Sequence, residues 1–214
     1  MLDNIKCAIF DLDGTLIDSM WVWRQIDIDY LKEKGCSMPS DLLDDIVHLS
    51  FSQTALYFKE RFHISDSVED IMNDWHNMAL YHYSNTIKLK SGVKEFLNLL
   101  KNKGIKIALA TSNSVPLLEA CLKNTGIYNY FDSFTTTDEV QNGKNCPDVY
   151  LLAANKVNVS PENCIVFEDI LPAVKGAKSA NMKVIAVKDD ESLDSKETLI
   201  KYADRYIDSF DELL

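Results

Sequence analysis

Several features are scarce in this 214-residue chain, and each scarcity excludes something. No apolar run approaches the roughly 18 residues of a membrane span. Basic residues are few: 22 Lys and Arg against 33 Asp and Glu give a net charge of −11. Nucleic acids and anionic membranes want a basic footprint, so neither is an expected partner. Cysteine is sparse and without order. Cys7, Cys36, Cys121, Cys146 and Cys164 are odd in number, irregularly spaced and lack a C-x-x-C pair. That pattern fits reduced thiols in a cytoplasmic protein rather than a disulfide framework or a cysteine-bound metal. Met1 to Lys6 lacks the charged stretch and apolar run of a secretory signal, so none is expected. Seven Gly and five Pro are too few for a low-complexity chain, and no internal repeat is visible. The four His show no ligand spacing.

What is present is an ordered globular composition, 46% hydrophobic and 26% charged, long enough for one large domain or a domain with a smaller insertion. Lys6 to Phe10 reads as a short buried strand. Residues 17–85 then read as nearly continuous helix: Ser19 to Lys34, Pro39 to Leu49, Ser52 or Gln53 to Phe62, and Val68 to Tyr83 behind cap signals at Ser65 to Ser67. After residue 86 the pattern alternates. Helices are expected over 92–103, 116–124, 147–157, 171–180 and 196–202, with strands at 105–110, 164–167, 183–187 and 206–207 and a short strand or turn at 131–136. Strand–helix alternation implies a parallel sheet covered on both faces. The expected fold is therefore α/β: a Rossmann-like three-layer core from 1–16 and 86–214, with an all-helical cap inserted at 17–85.

Three apolar strands end in polar clusters: Phe10 in Asp11 and Asp13, Ala110 in Thr111, Ser112 and Asn113, and Phe167 in Glu168 and Asp169. Singly, each has an ordinary explanation as a turn, a helix cap or a first-turn acid. Together they sit where open α/β sheets bind ligands, beyond the carboxyl ends of the strands. Four carboxylates in one crevice repel unless a cation or shared protons compensate. Hard oxygen donors suit Mg²⁺, which completes its shell with water and substrate phosphate. Lys144, in a loop before the helix that starts at Pro147, is the basic residue suited to balancing a carboxylate and phosphoryl oxygens.

The chain as a whole resembles the haloacid dehalogenase-like hydrolases. Asp11-Leu12-Asp13-Gly14-Thr15-Leu16 is similar to that family's first motif, the strand ending in Thr111 to its second, Lys144 before Pro147-Asp148 to its third, and Phe167-Glu168-Asp169 to its fourth. The helical insertion resembles the small cap of the phosphoglucomutase-like subgroup. The resemblance implies that Asp11 is a nucleophile forming an aspartyl-phosphate, and that Asp13 is the general acid and then base. It implies Mg²⁺ held by Asp11, by Asp13 through its main-chain carbonyl, and by Asp169, with Glu168 in or next to that shell. It implies a phosphate site from Thr111, Ser112, Asn113 and Lys144. A carboxylate at Asp13 favours phosphoryl transfer, since the dehalogenases of the family lack one there.

Departures refine the expectation. Ile170, Leu171, Pro172 and Ala173 follow the fourth motif where small or hydroxyl residues and a Gly are usual. Asn181 stands where a Gly commonly ends the next helix, and Asn tolerates a left-handed backbone. Mutases of the subgroup carry a His just after the first motif and an Arg in the cap, whereas Trp23 and Ser52 occupy those places here. An Arg fork grips a second phosphate, so its absence favours a phosphatase of a small phosphorylated metabolite over a hexose-phosphate mutase. A non-catalytic phosphate-sensing or protein-binding module is the third reading. Trp21, Trp23 and Ser52 are the cap residues open to substrate contact, with packing inside the cap the first expectation for the two tryptophans. A cytoplasmic monomer is expected.

Overall fold

The computed structural model describes residues 2–46 and 51–214. In chain order it contains β1 (Cys7–Phe10), β2 (Ile17–Asp18), α1 (Trp21–Glu33), α2 (Leu42–Ile46), α3 (Phe51–Arg61), α4 (Val68–Asn85), β3 (Lys88–Leu89), α5 (Val93–Asn102), β4 (Lys106–Thr111), α6 (Val115–Asn124), β5 (Ser133–Thr136), α7 (Asp148–Lys156), β6 (Cys164–Glu168), α8 (Leu171–Ser179), β7 (Lys183–Val187), α9 (Lys196–Tyr202) and β8 (Arg205–Ile207). The expected extension of α2 to Leu49 lies partly outside the described residues. Two compact units form: one from the chain up to Ser19 with Ile87–Leu214, the other Met20–Thr86.

The first unit is built on a six-stranded parallel sheet ordered β5-β4-β1-β6-β7-β8. β1 is central. Its register sets Phe10 beside Leu109 on β4 and beside Phe167 on β6. Every residue of β1 and β6 is buried, as both-faced coverage demands. Alternation divides the side chains between two faces. Cys7, Ile9, Ala108, Ala110, Cys164 and Val166 pack with Val149, Ala153, Val174, Ala177 and Leu199 from α7, α8 and α9. Phe10 belongs to a second cluster, stacked on Phe167 at 4.6 Å and joined by Phe96 of α5 and by Phe210. The chain runs from β1 outward to β4 and β5, then returns to β6 on the other side. That reversal creates a crevice at the ends of β4, β1 and β6.

The helical reading of 17–85 needs a correction at its start. Ile17 and Asp18 are extended and pair antiparallel with Leu89 and Lys88. Two residues are too few to show a strand period. Asn181 adopts φ 59°, the left-handed turn that ends α8.

In the second unit α4 begins with a capping box: Asp70 N donates to Ser67 Oγ at 3.1 Å, and the Asp70 side chain accepts from Ser67. Trp75 is the hub, 3% exposed, with Tyr30, Phe51 and Phe58 set edge-on against it at 5.7, 5.6 and 4.8 Å. α1 turns Val22, Ile26 and Tyr30 inward at helical spacing. That phase leaves Trp21 and Trp23 off the buried stripe, 39% and 37% exposed, against the expectation that they fill the cap interior. Trp21 lies edge-on to His82 and Trp23 edge-on to Phe51. No helix among the described residues is long and apolar enough to cross a membrane.

Candidate active site

Strand register decides which polar ends meet. Because Phe10 pairs with Phe167, the next residues, Asp11 and Glu168, lie side by side, and Asp11 N donates to the Phe167 carbonyl at 3.0 Å. Beyond Asp11 the chain turns through Gly14, whose φ of 75° a side chain would strain, and closes with Leu16 N donating to the Leu12 carbonyl at 2.9 Å. The turn sets Asp13 apart from Asp11. Both Asp13 carboxylate oxygens accept hydrogen bonds: Oδ1 from Ser19 Oγ at 2.7 Å and Oδ2 from Asn113 Nδ2 at 2.8 Å. Asn113 is itself held by its backbone N–H on Thr111 Oγ1 at 3.0 Å.

Lys144 is 9% exposed. Its Nζ pairs with Asp11 Oδ1 and lies 2.8 Å from Glu168 Oε1. The same Glu168 oxygen accepts from the buried Tyr150 hydroxyl at 2.8 Å. α8 admits the Lys144 loop because it carries Gly176 there. A Cβ at Gly176 would lie 2.0 Å from the Lys144 carbonyl oxygen. Asp169 Oδ1 accepts from Thr15 Oγ1 at 3.2 Å.

Asp11, Glu168 and Asp169 bring carboxylate oxygens within 4.8 Å of one another. Burial pushes all three carboxyls above the ordinary range, Glu168 to about 8 and Asp169 to about 7, with neighbouring carboxylates adding to the rise and Lys144 opposing it. Burial works against the Lys144 charge too, but Asp11 and Glu168 outweigh it and hold the ammonium above the usual lysine range. Three buried carboxylates against one ammonium are thus short of positive charge. Glu168 Oε2 is buried with no hydrogen-bond partner among the described residues. An orphaned oxygen beside two other hard donors fits a divalent cation.

The structure therefore brings Asp11, Thr111, Lys144, Glu168 and Asp169 to the ends of β1, β4 and β6 and the neighbouring loop. Asp13 joins through Asn113, but its carboxylate is not part of the buried trio. Ser112 is exposed. Trp21, Trp23 and Ser52 belong to the helical unit. Several residues escaped the sequence reading. Thr15 and Ser19 follow the first acids closely, and Tyr150 lies in the first turn of α7. Half-buried Lys90 and buried Asp189 form an ion pair at 2.8 Å. Asp189 closely follows an apolar strand, the signal that exposed the other clusters.

Comparisons with known proteins were made for sequence and structure. The family model described as haloacid dehalogenase-like hydrolase matches residues 8–187. The chain is 34% identical over 183 residues to a protein of Thermotoga maritima named phosphorylated carbohydrates phosphatase, covering 85% of this chain and 84% of that one. It is 28% identical to hexitol phosphatase B of Escherichia coli K12, covering 88% and 86%. Among solved structures, one from Thermotoga maritima provisionally named a beta-phosphoglucomutase superposes with a TM-score of 0.86 at 31% identity, covering 98% of this chain and 97% of that one.

Proposed function

This chain belongs to the haloacid dehalogenase-like hydrolases, and we propose that within that family it is a Mg²⁺-dependent phosphatase of small phosphorylated carbohydrates. The observation that carries the reading is the juxtaposition of Asp11, Lys144, Glu168 and Asp169 in one buried cluster, with Asp13 held separately by Ser19 and Asn113. A phosphate-binding module needs no such division of acids. The substrate class is supported by the names of two relatives, a phosphorylated carbohydrates phosphatase and hexitol phosphatase B.

The residues divide the work as follows. Asp11, Glu168 and Asp169 are the side chains that would hold Mg²⁺, with the Asp13 main-chain carbonyl as a further ligand, and the ion when bound would offset the negative charge of the phosphate. An Asp11 carboxylate oxygen attacks phosphorus while the bond from phosphorus to the leaving oxygen breaks, and Asp13 gives that oxygen its proton. The resulting aspartyl-phosphate is hydrolysed when Asp13 takes a proton from water and the hydroxide oxygen bonds to phosphorus, returning the Asp11 carboxylate. Lys144 opposes the burial that favours a neutral Asp11 carboxyl, and it balances the phosphoryl oxygens. Thr111 Oγ1 already accepts from Asn113 N, which leaves its O–H proton to donate to phosphate. Ser112 and Asn113 complete that site. Trp21, Trp23 and Ser52 are assigned to substrate selection, consistent with the exposure of the two rings. The five free cysteines fit a reducing cytoplasm.

The mutase reading is kept because of the structural neighbour's name. One experiment separates the two. Pure protein with Mg²⁺ is given a panel of sugar and hexitol phosphates, and separately β-glucose 1-phosphate with a trace of the bisphosphate. Free phosphate supports the phosphatase; isomerised sugar phosphate without free phosphate overturns it.

A further inference from the structure

Lys90 is a half-buried cation of the catalytic unit, and the mechanism above gives it no task. Its Nζ donates to the Gly14 carbonyl, to the Lys188 carbonyl at 2.6 Å and to Asp189 Oδ2 at 2.8 Å. An ammonium has three protons, and each has an oxygen here. The side chains of Lys90 and Asp189 are 16% and 6% exposed, so little solvent competes. The backbone adds a fourth tie, Lys90 N donating to the Leu16 carbonyl at 2.9 Å. Asp189 is itself anchored, its Oδ1 accepting from Glu191 N at 3.0 Å and its carbonyl from Ser192 N at 3.2 Å. Gly14 lies at the left-handed apex of the loop that carries Asp11 and Asp13.

We propose that Lys90 is a positioning residue: it fastens the Gly14 turn to the end of β7 and thereby fixes the Asp11–Asp13 loop without touching substrate. This rests on the phosphatase reading for its consequence, not for its geometry. Without the tether, the turn keeps β1, the short β2 and the Thr15–Asp169 and Asn113–Asp13 hydrogen bonds, but Gly14 loses its tie to the end of β7 and gains room to shift, and near-attack placement of the two acids is lost. Binding of the phosphate by Thr111 and Lys144 would persist, so the loss falls on kcat rather than KM.

A simpler role is that Lys90 only neutralises Asp189. K90M and the double variant K90M/D189N distinguish the two, because the double variant leaves no lone buried charge and stays measurable even where K90M fails to fold. Two readouts are taken: kcat and KM for p-nitrophenyl phosphate with Mg²⁺, and amide exchange of the peptide spanning residues 12–17 by mass spectrometry without substrate. A tether predicts that kcat falls tenfold or more in the double variant with KM within threefold, and that exchange of 12–17 speeds up by a similar factor. A return of the double variant to within threefold of wild-type kcat, or unchanged exchange at 12–17, overturns the tether. If the wild type releases no phosphate from any substrate, the phosphatase reading fails, and the exchange measurement alone decides the tether.

Discussion

Replacing Gly176 by Ala is the sharpest single-atom test of how Lys144 is placed. The added Cβ would meet the Lys144 carbonyl oxygen at 2.0 Å and the Cys146 carbonyl oxygen at 2.9 Å. Ordinary contact begins near 3.4 Å, so the Lys144 backbone or the helix must move by about 1.4 Å. Neither obstacle is a flexible side chain. Two stability effects oppose each other: Ala gains about 1 kcal/mol of helix propensity over Gly, and overpacking costs about 1–3 kcal/mol. Net stability therefore falls by only about 0–2 kcal/mol. Catalysis has no such compensation, because the ammonium that pairs with Asp11 and lies 2.8 Å from Glu168 moves with its loop. A displacement near 1 Å costs on the order of 10²-fold in rate. The expected result is a folded G176A whose kcat for phosphate release drops about 10- to 100-fold. Wild-type kcat and wild-type melting in G176A would refute the claim that α8 sets the position of Lys144.

Tyr150→Phe removes the buried hydroxyl that donates to Glu168 Oε1, and urea denaturation should show a loss of about 1–3 kcal/mol, the cost of taking one partner from a buried hydrogen bond. Mg²⁺ should raise Tm in calorimetry, because the folded chain gathers Asp11, Glu168 and Asp169 and the unfolded chain does not; an unchanged Tm at millimolar Mg²⁺ would count against the metal site. Asp27, buried on α1, has its carboxyl pushed by burial from 3.8 to about 7. Below pH 4 the folded and unfolded chains both keep it protonated. Between pH 4 and 7 only the folded chain does, so this group's stabilisation drains away as pH rises and is gone above about pH 7. The separation bounds the effect at about 4 kcal/mol. D27N should thus melt above wild type at pH 8, with the gap closing as pH falls toward 4, and a constant gap would contradict the burial argument.

Much of the sheet was legible because its signals are local. Lys183 to Val187 is a bare apolar strand between polar residues, and it forms with those bounds. Asp11, Thr111 and Glu168 were legible as strand ends, and parallel register then brings them together. Lys90 was not, because its partners Gly14 and Asp189 lie 76 and 99 residues away in sequence and an isolated lysine reads as a solvated charge. Trp21 and Trp23 misled for a different reason. Their bulk suggests burial, but the phase of α1 is set by Val22, Ile26 and Tyr30, one residue out of step. β2 and β3 are two residues each, shorter than any period that could announce them.

The central claim is that Asp11 carries the phosphoryl group. The direct measurement is an acid quench of the enzyme within one turnover of a radiolabelled sugar phosphate drawn from the panel, with Mg²⁺ present. The account predicts label bound to wild-type protein on the peptide containing Asp11, released by hydroxylamine as an acyl phosphate should be, and absent from Asp11→Asn. Undiminished phosphate release by Asp11→Asn, or label recovered on another residue, would contradict it.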